Sequence, residues 1–131
     1  MFNHIIYTLY FLSTVMSYST KIEYNTIVKY KQGEVISFPD FTLQYIGTRV
    51  TPVLNTQLGI TWYDFKIKDA SHNEVISWSS GLGCIAPLKF EFNNKAFMLE
   101  QVFSIHGKLN PNELVITEKT VYNEIMKRII Q

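Results

Sequence analysis

The residues that could support nucleophilic catalysis are one cysteine and a few histidines. The cysteine, Cys84, lies in the glycine-rich stretch 79–87. The three histidines are His4, His72 and His106. A thiolate nucleophile needs a lowered thiol pKa, which a helix N-terminus or a basic neighbour supplies. Cys84 is flanked by Gly83 and Ile85, and a free cysteine more often packs as a small apolar group. An enzyme with a Cys84-centred nucleophilic site, completed by a histidine that folding brings near, is therefore only the alternative hypothesis.

The same stretch places serines beside glycines, which invites two further chemical interpretations. A serine hydrolase elbow needs the order Gly-x-Ser-x-Gly on a strand-turn-helix, and neither is found here. A phosphate-binding loop needs a Gly-Lys-Ser/Thr ending and a following helix, which are also missing. We therefore predict a turn between two hairpins, and we predict that this turn is the binding loop. Its candidate binding residues are Ser79, Ser80, Gly81, Leu82, Gly83, Cys84 and Pro87.

Metal-binding patterns in the sequence are weak. The segment 69–74 places side-chain oxygens at several positions, as a calcium loop does, but it lacks the glycine of the sharp turn and the distal glutamate. The histidines have no zinc-ligand spacing, and a single cysteine excludes a multi-cysteine zinc site. We predict no catalytic residues, no metal and no cofactor.

The overall charge argues against nucleic acid as a partner. The chain has 12 Lys and Arg against 11 Asp and Glu, so no strong positive field attracts phosphate groups. Tyr63 and Phe65 lie close in sequence to Lys66 and Lys68, but strand alternation puts the rings and the lysines on opposite faces. We predict a protein or small-molecule ligand and no nucleic acid.

Residues 1–19 differ in composition from the rest of the chain. They carry no Asp, Glu, Lys or Arg, and an apolar run over 5–16 is followed by small residues. This is typical of a secretory signal peptide, although the usual basic residues before the apolar run are missing. We predict a signal peptide and a secreted, periplasmic or cell-envelope location. Two alternatives stay open: an uncleaved anchor that would hold a β domain at a membrane, and a buried strand.

Residues 20–131 are predicted to form a single β-rich domain. Two-residue alternation of apolar and polar side chains predicts a first strand over 22–30, a short second strand over 34–38 and a third over 41–47. The segment 48–59 shows no sustained period, and we predict a long loop or a bulged edge there, with a candidate binding surface.

The second half of the domain contains the clearest strand patterns. Segments 63–68 and 75–78 are predicted to form a central hairpin, and 88–92 pairs with a strand over 97–105 in a second hairpin. The core face of these strands is predicted to comprise Tyr63, Phe65, Ile67, Ile76, Trp78, Phe90 and Phe92. A last strand over 113–117 precedes a helical pattern that begins at Thr120, which we expect to act as the N-cap. We expect the apolar stripe of this helix to pack on the β structure.

These elements predict an all-β fold: a single antiparallel β-sandwich or small β-barrel of about seven to eight short strands, with a short amphipathic C-terminal α-helix. The lack of a coherent acid, base and nucleophile set favours a small exported, non-catalytic binding module over an enzyme.

Overall fold

The computed structural model describes residues 20–82 and 85–130, which contain ten strands and one helix. The predicted signal peptide, residues 1–19, lies outside these residues. The strands are β1 Val28–Lys29, β2 Val35–Ser37, β3 Thr42–Pro52, β4 Gly59–Lys68, β5 Asn73–Ser79, β6 Leu88–Phe92, β7 Lys95–Glu100, β8 Phe103–Ser104, β9 Gly107–Lys108 and β10 Glu113–Glu118. The helix, α1, spans Lys119–Ile130.

Eight of the strands form two four-stranded sheets. Sheet I has the order β1-β10-β7-β6 and sheet II has the order β2-β3-β4-β5, and every neighbouring pair is antiparallel. The two remaining short strands, β8 and β9, pair with each other in a separate hairpin. The predicted all-β fold with a C-terminal helix is confirmed, and its form is that of a small β-sandwich.

The core lies between the two sheets and is rich in aromatic side chains. Phe65 and Ile67 of β4 and Phe97 and Leu99 of β7 are fully buried. Trp78, Phe90 and Phe92 are also buried, whereas Tyr63 and Ile76 are partly buried and pack against the same cluster. The seven predicted core residues therefore all belong to the core or contact it. Alternation identifies them because one face of each strand is packed and the other is not.

The hairpin of β3 and β4 is longer than the sequence predicts. β3 continues to Pro52, and the ladder with β4 runs to the pair of Pro52 with Gly59. The register shifts between Tyr45 and Gly47, where Gly47 has a φ of +136° that favours glycine. Residues 48–52 therefore continue β3 beyond the bulge, residues 53–58 form a turn and Gly59 begins β4, which agrees with the bulged-edge alternative and not with a long loop. Alternation fails there because Arg49 and Val50 are both exposed, so neither face is packed.

The predicted first strand is mostly irregular. The backbone N–H of Ile22 bonds to the carbonyl of Ser37 in sheet II, whereas the N–H of Asn25 bonds to Ile116 in sheet I. Asn25 has a φ of +63°, so the segment changes sheets at this residue and joins a ladder only at β1. Its alternation still places Val28 on the packed side.

The strand predicted over 97–105 ends earlier, at Glu100. The carbonyl of Gln101 accepts a bond from the N–H of Phe103 across a γ-turn at Val102, whose φ is +70°. Phe103 then starts the β8–β9 hairpin and is 53% exposed.

The helix α1 follows β10 directly. It begins at Lys119, so Thr120 lies inside its first turn and is not the N-cap. Tyr122, Ile125 and Met126 are half-buried against the outer side of sheet I, and no helix residue is fully buried. In the part of the chain that the structure describes, no helix combines the length and apolar character needed to cross a membrane.

Candidate functional site

The predicted binding loop connects the two sheets. β5 belongs to sheet II and ends at Ser79, and β6 belongs to sheet I and begins at Leu88, so the chain passes from one sheet to the other between these two residues. The indole N–H of Trp78 donates to the carbonyl of Ala86 at 3.1 Å, and the N–H of Gly81 donates to Ser79 Oγ at 2.9 Å. A buried tryptophan thus anchors the far end of the loop, while Gly81, with a φ of +64°, makes the turn at its start.

A shallow cleft of about 290 Å³ lies beside this loop, and we name it the loop cleft. Four predicted residues, Ser79, Ser80, Gly81 and Pro87, line it. Leu82 does not line it and is 57% exposed, and Gly83 and Cys84 lie outside the described residues. The complete lining is Ile60, Trp62, Ser77, Trp78, Ser79, Ser80, Gly81, Ala86, Pro87 and Leu88.

A polar network adjoins the loop cleft on the outer face of sheet II. Asp64 accepts hydrogen bonds from Arg49 Nε at 2.9 Å and from Ser77 Oγ at 2.5 Å. The Arg49 guanidinium lies 5.3 Å from the centre of the Trp62 ring, and the Trp62 indole N–H donates to Thr51 Oγ1 at 2.9 Å. These contacts hold Trp62 in a fixed orientation beside the cleft. Sequence reasoning missed this network because its members lie on three strands whose register was not known.

The other residues considered for chemistry have structural partners. Asp69 Oδ1 accepts the backbone N–H groups of Ser71 and His72, and these bonds together with one from Asn93 lower the pKa of Asp69. Asp69 therefore organises the β4–β5 turn in the manner of an Asx-turn. His106 lies in the β8–β9 turn, and its Nε2 is 2.6 Å from Oδ1 of Asn25, which precedes β1. The two histidines occupy different turns, and the placement of Cys84 relative to either is outside the described residues.

A second cleft, of about 430 Å³, opens between α1 and the β8–β9 hairpin, and we name it the helix cleft. Ala86 and Pro87 line both clefts, so the loop forms a shared wall. The helix cleft also contains Glu100, which is only 5% exposed. Sequence reasoning did not single out Glu100. The sequence feature that could have identified Glu100 is the break in alternation at the end of β7, where two polar residues follow a buried leucine.

Within residues 20–82 and 85–130, no group of three or more His, Cys, Asp or Glu side chains is placed to hold a metal ion. No protein-family model, curated protein or solved structure matches the chain. Function is therefore inferred from the geometry of the two clefts and the strands beside them.

Proposed function

We propose that this protein is a small exported binding module that takes up an extended segment of a partner polypeptide along the free edge of β5. The observation that carries the proposal is that an unpaired strand edge lies directly beside the loop cleft. β5 offers seven residues of strand whose outer edge pairs with no other described strand, and its last three residues line the loop cleft. Strand addition takes its affinity from backbone hydrogen bonds and its specificity from pockets for alternate side chains.

The other terminal strands of the two sheets are less suited to strand addition. β1 and β2 are only two and three residues long. β6 has five residues, follows Pro87 and carries Lys89, both of which discourage pairing at an edge. β5 contains no proline, lysine or arginine, and its Val75 is 57% exposed. Glu74 is the one charged residue of β5, so this long edge is less protected than β6 and is the better template for another strand.

The loop cleft suits an apolar or aromatic side chain of the incoming strand. Trp62 and Pro87 provide apolar surface, and the Arg49 to Asp64 ion pair is already satisfied within sheet II. A partner therefore needs no charge to match this site. Burial of one aliphatic or aromatic side chain contributes on the order of 1.5–3 kcal/mol, which would add selectivity to the backbone pairing.

The test is the selection of peptide ligands. Random twelve-residue peptides displayed on phage are panned on the immobilised protein, and the selected peptides are synthesised. We expect sequences of high strand propensity with an apolar residue at a fixed position. Bound peptide should slow amide hydrogen exchange in residues 73–79 more than elsewhere in the sandwich. Selected peptides that leave exchange in β5 unchanged would overturn the proposal.

A matched pair of variants separates β5 from the opposite edge of the same sheet. Val75→Glu adds a charge to β5, where Lys66 on β4 is its cross-strand neighbour, and Val35→Glu adds the same charge to β2. Loss of the cross-strand pair with the peptide should weaken binding about fivefold in Val75→Glu. Binding by Val35→Glu should match the unsubstituted protein. Equal effects of the two substitutions would contradict binding at β5.

Export rests on the signal-like residues 1–19 and is tested separately. Sequencing the N-terminus of the protein made by cells from the full-length chain should give a mature chain that starts near residue 20. An intact N-terminus in the membrane fraction would instead identify an anchored β domain. An intact N-terminus in the cytosol would reject both export and anchoring.

A further inference from the structure

Glu100 is a buried carboxyl group with no charged partner among the described residues. It is the last residue of β7, pairs with Val115 of β10, and points to the outer side of sheet I, where α1 packs. It is 5% exposed, and its Oε1 has no hydrogen-bond partner among the described residues. A buried ionised group without a partner is costly, so it is found mainly where a ligand or a proton satisfies it.

The surroundings of Glu100 are mostly apolar and open to solvent on one side. Ile105 and Phe103 come from the β8–β9 segment, Met126 and Ile129 come from α1, and Pro87 comes from the binding loop. Among the residues that line this cleft, Tyr122 is the single other titratable group. Burial raises the pKa of Tyr122, and the nearby charge of Glu100 raises it further. No cation among the described residues lines the cleft with Glu100.

We propose that the helix cleft binds a primary ammonium group carried on an apolar stem, with the ammonium donating to the Glu100 carboxylate and the stem packing between α1 and the β8–β9 hairpin. The proposal adds a second site and does not depend on strand addition at β5. An ammonium fits better than a guanidinium because a guanidinium pairs best through two parallel bonds to both carboxylate oxygens. Here only one oxygen is buried without a partner.

Binding should depend on pH through Glu100. Burial raises the pKa of Glu100 from its ordinary value of 4.5 to about 7, and the backbone N–H of Ile105 opposes this rise. The ammonium needs the ionised carboxylate and remains charged itself up to a pH near 10. Tyr122 stays neutral across this range because its pKa is raised from 10.0. Affinity should therefore fall as the pH drops through 7, reaching about a hundredfold weaker at pH 5 than at pH 8.

The experiment titrates n-hexylammonium chloride into the full-length protein as purified, followed by the amide resonance of Ile105 and the methyl resonance of Met126. We expect saturable shifts at pH 8, and a loss of affinity at pH 5 as stated above. 1-Hexanol has the same apolar stem without the charge and should bind at least about tenfold more weakly. A second arm uses acetyl-Gly-Lys-Gly-amide. Tighter binding of this peptide would identify a lysine side chain as the source of the ammonium, and tighter binding of hexylammonium would identify a free amine.

Two variants of the same face complete the test. Glu100→Gln keeps the side-chain shape and removes the charge, so hexylammonium binding should fall at least about tenfold while hexanol binding stays unchanged. Glu91→Gln removes an exposed carboxylate from the outer face of sheet I. It should leave the affinities for hexylammonium and for hexanol unchanged. Val75→Glu should bind hexylammonium normally, which keeps this result distinct from that of the β5 site. Equal binding of hexylammonium and hexanol, or pH-independent binding by the unsubstituted protein, would overturn the proposal.

Discussion

At the scale of single residues, two consecutive side chains at the end of β7 carry unsatisfied polar atoms. Glu100 Oε1 and Gln101 Nε2 are both buried without a hydrogen-bond partner among the described residues. Gln101 Oε1 does accept a bond from the hydroxyl of Tyr30, so the amide is half satisfied. Val102, directly after them, has a φ of +70°, an uncommon conformation for a β-branched residue. Glu100 lines the helix cleft, whereas Gln101 and Val102 line another cavity beside Tyr30, so the two unpaired atoms do not share one site.

Glu100 should also make stability depend on pH. Its pKa in the folded chain is about 7 and its ordinary value is 4.5, so between these values the folded state holds a proton that the unfolded state has lost. Folding stability therefore falls as the pH rises from 4.5 through 7. Glu100→Gln removes this loss, so the variant should be more stable at pH 8 by up to about 3 kcal/mol and equal to the unsubstituted protein near pH 4.

Urea unfolding of Glu100→Gln and of the unsubstituted protein at pH 4 and pH 8 measures this difference in the free energy of unfolding. Glu91→Gln is the control, because that carboxylate is exposed. A stability gain in Glu100→Gln that is the same at both pH values would show that the charge of Glu100 is not its cause.

At the scale of elements, the sequence predicts strands well where one face is packed and poorly where neither is. The hairpins β4–β5 and β6–β7 were predicted with the correct partners, because each places apolar residues such as Phe65 and Phe90 on one side. For the end of β3 the sequence left a long loop and a bulged edge as alternatives, because Arg49 and Val50 are exposed in succession. Segment 22–30 has the alternation of a strand, yet it changes sheets at Asn25. Side-chain periodicity records which face is packed, and it does not record which backbone groups are paired.

For the candidate sites, the sequence likewise identifies residues that are contiguous in the chain and misses residues that only folding brings together. The predicted binding loop was singled out because its serines and glycines are contiguous in the sequence, and Ser79, Ser80, Gly81 and Pro87 line one cleft. The Arg49, Asp64 and Ser77 network depends on the register of three strands, which includes the bulge before Gly47. The burial of Glu100 depends on how α1 packs over sheet I. Neither the bulge nor the helix position follows from local sequence, so these residues became visible only in the folded chain.

At the scale of the whole molecule, aromatic contacts join the two sheets into one core. Phe41, directly before β3 of sheet II, lies 5.1 Å from Phe97 and 5.6 Å from Phe92 between ring centres, and both of these belong to sheet I. The ring of Tyr24 likewise contacts Phe38, which directly follows β2 of sheet II, and Phe97 of sheet I. Packing of this kind predicts that neither sheet is stable alone, because each would expose its apolar face.

Phe41→Ala should therefore destabilise the entire domain. Phe41 is 3% exposed, and removal of a buried phenylalanine costs about 3–5 kcal/mol, a large part of the about 5–15 kcal/mol that stabilises a typical domain. Phe103→Ala, at a 53% exposed position, should cost well under this amount. Urea unfolding followed by tryptophan fluorescence and by far-ultraviolet circular dichroism should give coincident transitions for both variants. Because Trp62 and Trp78 both report on sheet II, a fluorescence transition that separates from the circular dichroism transition in Phe41→Ala would show that the sheets unfold independently.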